Sequence, residues 1–234
     1  MFLSTIFSQF FMQDLGKVVV DFNLGAIALA GLLISFSVSV GLIAKDLDKR
    51  TIYFVLGRGI SRKNYIFGKF AGLSLIIVIA YLMIFLLTLL PIYIMKSIIP
   101  FYYKSFSLSL YSMAVLADLA KCVLLNAVII FFSSFVSTSF TVLVFSMLIY
   151  ICGQSLTEVL SYASSSETYA QLELFLNFIK YIIPNFALFD FKALAANGIA
   201  FPYELYLGSI LYGLVYSIIL LLLAGLIFDK REFP

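Results

Sequence analysis

Residues 45–69 read KDLDKRTIYFVLGRGISRKNYIFGK, and apolar sequence flanks them on both sides. Lys45, Lys49, Arg50, Arg58, Arg62, Lys63 and Lys69 fall in this window, seven of the fifteen Lys and Arg in the chain. Only Asp46 and Asp48 oppose them. A short basic loop between two membrane spans lies in the cytoplasm, so this window sets the orientation expected for the rest of the chain. Its own grammar is helical. Asp46 and Asp48 stand where a helix would begin, and acids favour the positive end of the helix dipole. Ile52, Val55 and Leu56 recur at helical spacing. Gly57 takes a left-handed stop cheaply. Ser61 then caps a second helix that starts at Arg62 and runs into the membrane. On these grounds alone, a basic anchor that only sets topology is as good a reading as a docking element.

Composition bounds the class. The chain is 63% hydrophobic and 12% charged, with a mean hydropathy of +1.11. Soluble domains carry roughly 25% charged residues, so the reading is an integral membrane protein whose unit is a span of about 20 residues. The net charge of +3 gathers at the basic window, which argues against nucleic-acid binding. Cys122 and Cys152 both lie in apolar runs and read as buried, inert thiols with no disulfide framework. The chain has no histidine, which removes the commonest transition-metal ligand and general base. No Gly-x-x-x-x-Gly-Lys-Ser/Thr loop occurs, so ATP binding of that kind is not expected here. The serines lack a histidine base for hydrolytic catalysis.

The pattern predicts an all-α membrane bundle in a single domain over residues 1–234. It has about five complete spans, near 24–44, 70–95, 108–132, 140–156 and 207–228, plus a partial N-terminal one. Met1 to Met12 is apolar but too short to cross a bilayer, and it reads as the outer end of an incomplete span. Leu24 to Ala44 carries a small-residue surface suited to close helix approach. Pro91 falls near the end of the second span. Asp118 and Lys121 lie three apart inside the third span, on one helix face. Asp118 stands about 22 Å from the inner end. Ionisable residues in a span are costly and are functional candidates. A self-compensating pair facing other subunits or the interface is the favoured reading, and a place on a substrate path is the sharper one. Ser133, Ser134, Ser137, Thr138 and Ser139 make a polar turn on the cytoplasmic side. Gly153 and Gln154 read as the end of the fourth span. The outer segment, 154–206, carries five acids against two bases. Within it a helical run ends at Pro184 and Asn185. The last span closes on Lys230 and Arg231, which places the C-terminus in the cytoplasm.

The basic window resembles the signature of type-2 ABC transporter permeases, especially the branch linked to multicopper-enzyme maturation. That pattern runs acid, apolar, acid, then Thr, an apolar stretch, Arg-x-Pro-Ile/Val-Ser-Arg, an aromatic and Gly-Lys. Asp46, Leu47, Asp48, Thr51, Ile52, Leu56, Arg58, Ile60, Ser61, Arg62, Tyr65, Gly68 and Lys69 fill those places. Gly59 stands where Pro is usual, and Arg50 where Gly is common. The Pro184-Asn185-Phe186 stretch and the charged C-terminal end resemble the family too. The resemblance implies that the cytoplasmic segment 45–69 is an amphipathic coupling helix. Asp46, Asp48, Thr51, Arg58, Ser61 and Arg62 would then contact an ABC ATPase subunit. It implies no catalysis on this chain, with ATP and Mg held by that partner. A second permease copy or a paralogue completes the path in the inner (cytoplasmic) membrane. Against this reading of an export permease stands a membrane anchor that holds an extracytoplasmic protein and transports nothing. A membrane-embedded enzyme is third, since Asp118 lacks further intramembrane acids around it.

Overall fold

The computed structural model describes residues 15–40, 61–103, 106–136, 138–164 and 182–230. Within them the regular structure is helical. Five long helices dominate: α1 (Leu15–Ser39), α2 (Arg62–Ile98), α3 (Leu108–Phe135), α4 (Ser139–Ser164) and, after the short α5 (Lys192–Ala196), α6 (Tyr203–Asp229). All five are long and apolar enough to cross a membrane. Their outward faces are apolar as well. Leu75, Leu82 and Leu86 on α2, and Leu211 and Leu222 on α6, are all more than half exposed. A helix apolar all round needs a hydrocarbon surrounding.

The boundaries depart from those read off the sequence in three places. First, α1 begins at Leu15, nine positions before the expected start. Lys17 and Asp21 sit inside it, four apart on one helix face and both exposed. Second, Gly153 and Gln154 do not end the fourth helix, because α4 runs on to Ser164. Third, α2 is 37 residues long and passes through Pro91 to Ile98. At helical rise it measures about 55 Å, well beyond the ~30 Å hydrocarbon core. The partial span at Met1 to Met12 and the segment 45–60 lie outside the described residues.

The chain divides into two compact units. The first takes residues 1–37, 71–123 and 189–214. Its core joins Val19 and Ile27 of α1, Ile77 and Tyr81 of α2, and Tyr111 and Ala114 of α3. Phe191, Phe201 and Tyr206 close it with rings 5.1 to 6.2 Å apart. The second unit takes residues 38–70, 124–188 and 215–234. There Ser39 Oγ donates to Asn126 Oδ1 at 2.9 Å in a buried contact. Phe131, Phe132, Phe135 and Phe145 stack toward the α3–α4 turn. That turn is tighter than the serines suggest. Ser133 and Ser134 are buried and bond back to the carbonyls of Ile129 and Phe131, so they belong to α3.

Candidate functional site

Three clusters of polar side chains stand out against this apolar background. The first is the foot of α2. Ser61 caps the helix, its Oγ accepting from the Asn64 N–H at 3.3 Å. Arg62 Nη1 donates to the carbonyls of Phe228 at 3.4 Å and Asp229 at 2.9 Å. These belong to the last turn of α6, whose carbonyls have no intrahelical partner. Lys63 lies 3.7 Å from the Asp229 carboxylate, with both side chains about half exposed. Tyr65 stacks on Phe228 with centroids 6.0 Å apart, and both rings are buried. The start of α2 and the end of α6 are therefore fastened by a guanidinium and a ring stack. Of the residues proposed to touch an ATPase, Ser61 and Arg62 are here. Asp46, Asp48, Thr51 and Arg58 lie outside the described residues.

The second cluster is the ion pair of Asp118 and Lys121 on α3. The pair does not face outward: both side chains are at most 5% exposed. The Tyr81 hydroxyl of α2 donates to Asp118 Oδ2 at 2.7 Å. It also lies 3.0 Å from the Cys122 sulfur. With its one proton directed at Asp118, the hydroxyl accepts from the thiol. A Cβ on Gly31 of α1 would collide with that hydroxyl. Glycine at 31 thus lets Tyr81 reach the carboxylate. A lone charge in a span is costly, whereas a paired and hydrogen-bonded one is held within the protein interior. The sequence exposed the i,i+3 pair but not Tyr81 or Gly31, which sit in apolar runs. Cys122 is buried, as its surroundings imply, but Cys152 is exposed on α4. On a span, an outward face needs no polar residue to cover it.

The third cluster is Pro184, Asn185 and Phe186. Tyr216, 13 positions from either end of α6, donates to the Ile182 carbonyl at 2.6 Å. Asn185 Nδ2 donates to Thr157 Oγ1 of α4 at 3.0 Å. Its Oδ1 accepts from the Ala187 N–H at 3.1 Å. Phe186 is fully buried and tilts against Tyr150 at 5.2 Å. Gly153 leaves room for the Pro184 carbonyl and the Phe186 ring. Tyr216 and Gly153 stand about 20 Å along their helices. Residues 182–186 therefore pack beside the middle turns of α4 and α6. Non-helical backbone survives there only when its polar groups are satisfied by protein. The motif meets that demand: proline has no N–H, and asparagine and tyrosine serve the neighbouring groups. Gly153 is therefore a seat for this segment rather than a helix stop. Among the described residues no group of His, Cys, Asp and Glu could hold a metal ion.

Five span-length apolar helices among the described residues, with a buried ion pair inside one of them, define a polytopic membrane protein built around packed helices. The sequence model of the ABC-2 family transporter proteins matches residues 3–233. The chain belongs to that family, the membrane components of ABC transporters. No curated protein and no solved structure matches it.

Proposed function

We propose that the chain is the permease subunit of an ATP-driven exporter of the multicopper-enzyme-maturation-like branch. It sits in the inner membrane with its C-terminus in the cytoplasm, and it pairs with a second copy or a paralogue. A separate ABC ATPase, which holds ATP and Mg, docks on the basic segment through Asp46, Asp48, Thr51 and Arg58. The family match over residues 3–233 carries this reading. The form of α2 supports it. The helix leaves the basic segment at a capped start and continues as one rod of 37 residues. A displacement at its foot is delivered along the whole span, as in rigid-body switching of packed helices. The competing anchor reading draws on an outer segment offered to a partner protein, whereas residues 182–186 pack against the middle turns of α4 and α6.

Charge reversal tests the docking. Lys49→Glu with Arg58→Glu should abolish co-purification and stimulation of the ATPase while membrane insertion stays intact. Normal stimulation by the doubly reversed permease would refute the assignment.

A further inference from the structure

We infer that Arg62 is a positioning residue that makes α6 move with α2, and that it is not part of the ATPase contact. The inference rests on the coupling role proposed above for the basic segment. It begins from a local anomaly. Arg62 and Lys63 occupy the first turn of α2, which has no acid. Cations at a helix N-terminus oppose that helix's own dipole. A sequence that breaks a local rule does so for a reason beyond the helix. Here the reason is the neighbouring helix end. The last turn of α6 carries partial negative charge, and no basic residue lies within that turn, Lys230 following it. Arg62 fills that place from 166 and 167 positions away. The planar guanidinium is suited to two acceptors at once, whereas an ammonium is a point charge. Around it, Tyr65 stacks on Phe228 and Lys63 pairs with Asp229. These contacts grip α6 from the side and at its tip. A push on the foot of α2 thus reaches two spans that are joined at the same end, one directly and one through Arg62.

Hydrogen exchange of the permease with its co-expressed ATPase in lipid nanodiscs tests this, with and without a non-hydrolysable ATP analogue. Arg62→Ala should leave the amount of bound ATPase unchanged. It should raise amide exchange in residues 224–229 by about tenfold. The nucleotide-dependent change in that peptide, present in the wild type, should vanish. Arg62→Lys should restore part of it, since one donor group replaces a fork. A grip that served only to stabilise α6 would raise exchange and leave the nucleotide response in place, which overturns the inference. Unchanged exchange at 224–229 overturns it as well. If Arg62→Ala releases the ATPase with 224–229 unaltered, Arg62 belongs to the docking surface. A wild-type permease that retains no ATPase overturns the docking reading itself and this inference with it.

Discussion

The guanidinium of Arg62 donates to the backbone carbonyl of Asp229 at 2.9 Å, across 167 positions of sequence. One bond joins the positive end of one span-length helix to the negative end of another. It also separates two questions that the basic segment raises together. Substituting Arg62 disturbs the packing of α6, so docking is better probed at Lys49 and Arg58.

Glycine at 153 is a packing device, and a small substitution exposes this. Gly153→Ala should destabilise the protein by about 1–3 kcal/mol, as overpacking does, because its Cβ meets the Pro184 carbonyl and the Phe186 ring. Gly208→Ala, with open space around it, should be neutral or stabilising by up to about 1 kcal/mol from helix propensity. Thermal unfolding in detergent reads both, and equal shifts would contradict the seat.

What could be read from the sequence divides along the same line as this pair. Ser61 was legible as a cap because its chemistry is local, an oxygen three positions from the N–H it serves. Asp118 and Lys121 were legible as neighbours because helical spacing is local too. Gly153 was misread because a glycine that stops a helix and one that admits a partner look alike in sequence. The partner, Pro184, is 31 positions away. Arg62 is legible as a cation at the head of a span, but the carbonyls it serves belong to the other end of the chain. The family and the helix count followed from patterning; the contacts between helices did not.

The buried ion pair should show strong coupling. Asp118→Asn or Lys121→Met alone leaves one charge unpaired in the interior, at a cost of about 3–5 kcal/mol. The double variant should recover most of that loss. A double-mutant cycle on unfolding in mixed micelles measures it, and additive losses would show that the pair does not act as a unit.

Tyr81→Phe removes a hydrogen bond to a charged acceptor, so a loss of about 1.5–3 kcal/mol is expected. Gly31→Val should lose at least as much, because it drives the tyrosine away from Asp118. In the Tyr81→Phe background the Gly31→Val change should cost less than it does alone. The same cost in both backgrounds would mean that Gly31 makes room for the ring at 81 and not for the hydroxyl's bond to Asp118.

Asn185→Ala should cost about 1–3 kcal/mol, since it leaves the Ala187 N–H without its acceptor. Thr157→Val should cost less, since it removes one donor–acceptor pair and leaves that N–H served. The order of the two unfolding temperatures checks the assignment of Asn185 as the residue that satisfies the turn at 184–187.

The claim at the centre is that the basic segment is gripped by a nucleotide-binding subunit in the cytoplasm. A photoreactive maleimide on Arg58→Cys, in a Cys152→Ser background and in native membranes, measures this directly. The account predicts a covalent adduct whose second protein, identified by mass spectrometry, carries an ATP-binding phosphate loop. It also predicts that a membrane-impermeant maleimide leaves this cysteine unlabelled in intact cells. Labelling from outside with no such adduct would contradict the account.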